Sequence, residues 1–463
     1  MSALSPPTSE SVPQLHSAVP GAVWPAIGTD ASAHLQSLLF QLEQTQWLTP
    51  DQLRTHQLRQ LNLVLRHAMA EVPYYAKSLR NLDVRNFDWA KFTALPQLGR
   101  NTLQANFDAL SSRRPPASHG TVTVGQSSGS TGMPIKFLRT AATQLFWEAL
   151  TLREHLWQNR DFAGKLAAIR ILVEEARLPD WGPPAAKVFH TGPGAALNVR
   201  TVTSEQLAWL GREDPHYLVT HASNLGALAA LSIELGLRLP NLRQVRTYSE
   251  ALRPDLRDMV RAAWGVEIAD VYSSEEAGVI ALQCPLHEHY HAQSENLIVE
   301  VLRPDGKACR PGETGEVVLT TLHNFAMPLI RYRIGDYAEV GDTCPCGRGL
   351  PVLKRIHGRQ RNMLQLPNGE THWPSFPGSL WRSVAPVEQF QLVQLQLDRI
   401  EARYVMDREL TSAEAAQLVA ALQERLGFPF RIDLRKVGSI DRTAAHKFED
   451  FISALPPSVN AND

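Results

Sequence analysis

Between Thr121 and Val271, short strand-like apolar runs alternate with stretches of helical periodicity, and this alternation constrains the fold more than any other feature of the chain. Thr121–Val124, Leu166–Leu172, Tyr217–Val219 and Val266–Val271 read as strands, and Ala141–Trp157 and Ser223–Leu235 as helices. The pattern predicts an α/β architecture, with helices covering a sheet. Upstream, apolar positions from Ala33 to Ala70 recur at helical spacing, as in Leu61, Leu65, Ala68 and Met69. That periodicity should end at Val72-Pro73, because proline lacks the amide donor and restricts its predecessor. From Asn296 the pattern turns β-rich (Leu297–Leu302, Glu316–Thr321, Tyr337–Val340), with turn clusters at Pro304-Asp305-Gly306 and Pro311-Gly312. After Gly358, strands mix with an amphipathic helix at Ser412–Leu426.

A chain of 463 residues is too long for one compact core. The expected division is a Pro-, Ser- and Ala-rich leader over 1–30, a large multi-layered N-terminal domain over 31–357, and a small mobile α+β C-terminal domain over 358–463. With 46 basic and 47 acidic residues and a net charge of -1, the chain lacks the broad positive surface needed for nucleic acid or an anionic membrane. No apolar run is long enough to cross a bilayer, and the N-terminus has neither the charged start nor the apolar run of a secretion signal. Four cysteines are too few for a disulfide scaffold, which fits a reducing cytoplasm.

Three segments carry chemistry. In Gln126-Ser127-Ser128-Gly129-Ser130-Thr131-Gly132-Met133-Pro134, glycines allow close backbone approach to a polyanion and the hydroxyls add donors. A strand before and a helix after would place this loop where phosphates are commonly bound, although the composition equally describes a solvated linker. It is not a Walker loop, since the Gly-Lys-Ser/Thr ending is absent. In Asp270-Val271-Tyr272-Ser273-Ser274-Glu275-Glu276, a strand ends in an aromatic ring able to flank a base and in carboxylates able to hold magnesium. Read alone, Glu275-Glu276 also suits a solvated helix start. In Met327–Asp336, an aspartate after a glycine turn can accept from two ribose hydroxyls, and the same residues also suit an ordinary hairpin turn.

Jointly, in this order, these segments resemble the adenylate-forming superfamily of acyl-CoA synthetases and adenylation domains, and within it the phenylacetate-CoA ligase-like and capsule-biosynthesis branch. The likeness runs from about Gln57 to Ser453 and is densest over Asp270–Arg361. It implies ATP- and magnesium-dependent conversion of a small carboxylic acid, preferably aromatic, to an acyl-AMP. The acyl group would then pass to the thiol of CoA or of a carrier-protein phosphopantetheine. Ser127, Ser128, Gly129, Ser130, Thr131 and Gly132 would hold the β- and γ-phosphates, Glu250 would lie on the adenine side, Tyr272 would flank the base, and Ser274 would line the same site. Glu276 would be the magnesium carboxylate, Asp336 would bind the ribose and Arg359 would lie near the nucleotide. Asn362 stands at the hinge, and Lys447, within Ile440–Phe448, would be the adenylation lysine. Ser273, Glu275, Asn362 and His446 depart from the residues usual at their positions.

Those departures motivate one rival, a catalytically degenerate nucleotide- and zinc-binding module. Another magnesium-dependent phosphotransferase using the same loop is a second. Partners implied are a small acid and either CoA or an acyl carrier protein, with a homodimer allowed. His190, His216 and His221 precede the Glu250 segment and could face a carboxylate or ring hydroxyl, or be ordinary packed residues. Separately, Cys284, His291, Cys344 and Cys346 have the composition of a closed tetrahedral zinc site, with His287 and His289 as competing imidazoles and Cys309 left over as an apolar residue.

Overall fold

The computed structural model describes residues 13–127, 134–171, 173–374, 376, 378–440 and 449–455. Two helices open it, Asp30–Thr45 and Pro50–Glu71, where the sequence suggested one continuous periodicity. The break is chemical: Thr49 caps the second helix in a reciprocal box with Gln52, and Pro50 takes its first position. Val72 leaves helical geometry just before Pro73, as expected.

A hairpin of β1 (Val122–Gln126) and β2 (Lys136–Thr140) follows. It corrects the strand–loop–helix reading, because the Ser/Gly loop joins two antiparallel strands. The helix Ala141–Trp157 begins only afterwards, at a capping box between Thr140 and Thr143.

Twelve strands of the described residues form one sheet. Its first half comprises β3 (Leu166–Arg170), β4 (Ala176–Leu178), β5 (Gly194–Asn198), β6 (Tyr217–His221), β7 (Gln244–Tyr248) and β8 (Glu267–Ser274). Pairing is parallel from β5 through β3, β6 and β7 to β8, with β4 antiparallel at the edge. The second half is antiparallel: β9 (Gly278–Gln283), β10 (Tyr290–Ala292), β11 (Leu297–Leu302), β12 (Thr314–Thr321), β13 (Tyr332–Val340) and β14 (Val352–Arg359). The parallel part needs crossovers, and the helices Thr203–Glu213, Ala222–Leu235 and Pro254–Trp264 supply them. They bury Leu207, Leu225, Leu228 and Val260 against β6–β8. The sheet changes character at β8–β9, where a turn of Glu275, Glu276 and Ala277 ends at Gly278 with φ +79°.

Beyond β14, a four-stranded sheet (Gln389–Gln396, Arg399–Val405, Arg431–Lys436, Phe451–Ser453) packs with the helix Ser412–Leu426 around its own cluster, in which Leu392, Ile400, Leu418, Leu422 and Phe430 are fully buried. Among the described residues no helix is long and apolar enough to cross a membrane.

Candidate active site

The ends of β8 and β14 and the middle of β13 meet at one cavity of about 1340 Å³, lined by Ser127, Glu250, Tyr272, Glu276, Asp336 and Arg359, with Ser274 beside them. Asp336 is its best-defined member. It lies inside β13, directly paired with Arg359 of β14, so it is a strand residue rather than part of a hairpin turn. The Tyr272 hydroxyl donates to its Oδ2 at 2.9 Å, and Arg359 Nε stands 3.1 Å from its Oδ1. Burial, and then the facing Asp336 carboxylate, push the Tyr272 phenol well above its ordinary value, so it stays a donor. Asp336 in turn raises Arg359, fixing its positive charge.

Glu276 is almost entirely enclosed, and Tyr332 donates to its Oε1 at 3.3 Å. It sits in the β8–β9 turn, not at the start of a helix. Its neighbour Glu275, also on the cavity lining, is exposed and pairs with Arg139 at 2.5 Å. The extra carboxylate in this motif is therefore matched by a cation, and of the two Glu276 is the enclosed one. Glu250 has an additional local task. Its Oε2 accepts from the Ser223 amide at 2.7 Å and its Oε1 from the Ser223 hydroxyl at 3.1 Å. It thereby satisfies the start of the Ala222–Leu235 helix, whose capping residue His221 offers no side-chain cap.

Ser127 closes the base of its loop, with backbone and hydroxyl bonds to Ile135 at 2.8 Å each. Ser128, Gly129, Ser130, Thr131, Gly132 and Lys447 lie outside the described residues. Ile440 and Glu449, which bracket 441–448, both line the cavity. Asn362 donates to the Phe451 carbonyl at 2.7 Å and to Glu449 at 3.3 Å, and Arg361 holds Glu449 at 2.6 Å. Of the three histidines considered, His190 is exposed against His16, and His216 accepts from the Lys165 amide at 2.9 Å. His221 packs beside Tyr248, and none of the three lines the cavity. Tyr332 and Arg139 went unassigned in the sequence. The first lay inside a recognised segment without a role, and the second had no signal, its partner being 136 residues away.

The cysteine–histidine cluster forms apart from this cavity. Cys284 and Cys344 sulfurs are 3.8 Å apart, and Cys346 Sγ is 3.4 Å from His291 Nε2. One ligand atom from each of Cys284, His289, His291 and Cys344 can be drawn within 4.8 Å of the others. His289 thus competes with Cys346 for the fourth place. Its Nε2 is buried without a hydrogen-bond partner, whereas His291 Nδ1 leans on the Leu350 carbonyl at 3.4 Å. Burial above all lowers His291 to about 4, leaving a neutral imidazole of the kind metals take. Cys309 is half-buried elsewhere, against the main core. Over the knuckle, Arg348 stacks on Trp47 and Trp157 and bonds Gln46 at 2.8 Å. Gly349 fits under the Gln46–Thr49 elbow only because it lacks a side chain, since an added Cβ would fall 1.8 Å from the Leu48 carbonyl oxygen.

No protein-family model matches the chain. It is 25% identical over 346 residues to the phenylacetate-coenzyme A ligase of Aromatoleum evansii, covering 70% of this chain and 74% of that protein. It is 22% identical over 446 residues to the Pseudomonas putida phenylacetate-coenzyme A ligase, covering 86% and 94%. A shorter match of 114 residues, 32% identical, reaches the Thermus thermophilus phenylacetate-coenzyme A ligase and spans 26% of its length. Among solved structures, a 2-hydroxyisobutyryl-CoA ligase in the postadenylation state superposes with a TM-score of 0.69 at 19% identity, covering 89% of this chain and 91% of that one. An anthranilate CoA ligase in complex with anthranoyl-AMP gives 0.50 at 18%, covering 70% and 65%.

Proposed function

We propose that this chain, a relative of the phenylacetate-coenzyme A ligases with the fold of the adenylate-forming enzymes, activates a carboxylic acid with ATP and then passes the acyl group to a thiol. The observation that carries the reading is Asp336. Its carboxylate is held by Tyr272 and Arg359 at the wall of a large cavity that Glu276 also lines, an arrangement suited to a ribose at one end and a metal-bound phosphate at the other.

A carboxylate is a poor electrophile because its leaving group would be oxide. Attack on the α-phosphate of ATP expels pyrophosphate and gives an acyl-AMP, from which AMP leaves readily when a thiol attacks. The protein's work is alignment of two anions and neutralisation of the charge between them. Glu276, a nearly enclosed carboxylate with a neutral donor as partner, fits a magnesium ion, which would supply positive charge to the phosphate oxygens. Ser127–Gly132 and Lys447 take the remaining phosphate and adenylation roles by the resemblance.

The acid is read as small and preferably aromatic. The acceptor is read as CoA, with a carrier-protein arm as the other thiol, and the setting as the cytoplasm. Residues 1–30, 31–357 and 358–463 would act as leader, adenylation domain and mobile lid hinged at Asn362, and a homodimer fits the reading. The thiolates and imidazoles of Cys284, His291 and Cys344, completed by His289 or Cys346, fit a structural zinc. Metal analysis of protein purified without chelator should find one zinc per chain.

The main test is carboxylate-dependent ATP–pyrophosphate exchange across aryl and fatty acids. Exchange with AMP as product supports the reading, and ADP formation would instead favour a phosphotransferase. ATP binding without turnover on any acid would favour the degenerate binding module. Lys447→Ala should abolish exchange while leaving ATP binding measurable.

A further inference from the structure

Glu275 places a second carboxylate in the same turn as Glu276, beside a cavity read here as a polyanion site. Arg139 meets it from the hairpin. One guanidinium nitrogen donates to the Glu275 carboxylate at 2.5 Å and to the Glu275 backbone carbonyl at 2.8 Å, so it grips the turn's charge and its main chain together. Arg139 is itself well placed. Its guanidinium lies 4.8 Å from the Phe137 ring centre, Phe137 is buried, and the Leu138 carbonyl accepts from Asn324 at 2.9 Å. Gly125, opposite Phe137 in register, leaves the room that ring needs, since a Cβ there would meet it at 2.3 Å.

We propose that Arg139 is a positioning residue of the nucleotide site: it masks the charge of Glu275, so that the enclosed Glu276 is the carboxylate of the β8–β9 turn that a cation in the cavity meets. The inference rests on the nucleotide reading above and adds to it a residue outside the recognised segments. The side chains are 38% and 62% exposed, so the pair contributes little to stability and its effect is on charge at the site. With Arg139 gone, an unpaired carboxylate beside Glu276 both repels a triphosphate and competes for its cation.

The test uses the full-length chain as wild type, Arg139→Gln, Glu275→Gln, the double variant and Arg139→Lys, with ATP affinity read by calorimetry in magnesium and KM for ATP read by pyrophosphate exchange. Arg139→Gln should weaken ATP binding about fivefold, the scale of one unscreened surface charge. Adding Glu275→Gln should restore it, although the tie is still missing, and Arg139→Lys should stay near wild type. A double variant as impaired as Arg139→Gln would make the contact a mere brace and overturn the inference, as would an unaffected Arg139→Gln. Wild type that fails to bind ATP would overturn the nucleotide reading itself and the inference with it. Melting temperatures identify a variant that fails to fold, in which case Arg139→Lys and Glu275→Gln carry the comparison.

Discussion

At the scale of single residues, the site turns on which carboxylates are free to accept. Asp336 offers its oxygens from a strand, already oriented by Tyr272 and Arg359, so little reorganisation accompanies ribose binding. Asp336→Asn removes the charge from two such hydrogen bonds, each about 1.5–3 kcal/mol when charge-assisted. ATP affinity should fall by roughly two orders of magnitude, since each 1.4 kcal/mol is about tenfold. Tyr272→Phe loosens Asp336 without removing its charge and should raise KM for ATP by less than Asp336→Asn does. Both are read by pyrophosphate exchange against ATP concentration, and a Tyr272→Phe effect as large as that of Asp336→Asn would reassign the tyrosine. Tyr272, Glu276 and Asp336 were legible in the sequence because each carboxylate or ring sits in a short segment whose neighbours already suggest its chemistry. Tyr332 and Arg139 were not, because their roles come from partners brought in by tertiary pairing.

Secondary-structure elements show the same division. The helices Ala141–Trp157 and Ser412–Leu426 and the strand Leu297–Leu302 match their sequence-read limits, the two helices each starting at a capping box. β2 was missed, being five residues interrupted by Lys136 and Arg139, and with it the hairpin around the Ser/Gly loop. The Ala141–Trp157 helix also carries a titratable core. Burial alone would raise Glu154, but Arg160 and Arg246 overcome that and hold it at about 2. Burial, then Arg160, lower His155 to about 3, and its Nδ1 lies 2.9 Å from an Arg160 nitrogen. Both folded values lie below the ordinary 4.5 and 6.5, so the unfolded chain binds more protons as pH falls. The stabilisation is complete above 6.5 and is lost first as His155 and then as Glu154 must be protonated. Melting temperature should decline on acidification from 6.5, and His155→Gln, which keeps an acceptor for Arg160, should flatten the decline between 6.5 and 4.5. An unchanged profile would place the acid sensitivity elsewhere.

For the molecule as a whole, separate apolar clusters set the expected behaviour. Leu422 is fully buried in the cluster of the four-stranded sheet, away from the main core. Leu422→Ala should cost about 2–5 kcal/mol. If residues 358–463 fold as their own unit, calorimetry should show one of two transitions moving, whereas a single shifted transition would show the chain melting as one body. The large α/β body was legible from its alternation, but its continuation into an antiparallel half was visible only as β-rich sequence, because periodicity does not report which strands pair. The elbow between the first two helices rests on residues read much later: Gln46 takes its bond from Arg348, 302 positions on. A ribosome adding roughly 5–20 residues per second needs about 15–60 s to cover that interval. The apolar sides of the newborn helices meet partners sooner, at Phe92, Leu103 and Leu150, but the Trp47 ring waits the whole interval for the guanidinium that stacks on it, so this corner is the last part of the N-terminal pair to settle during synthesis.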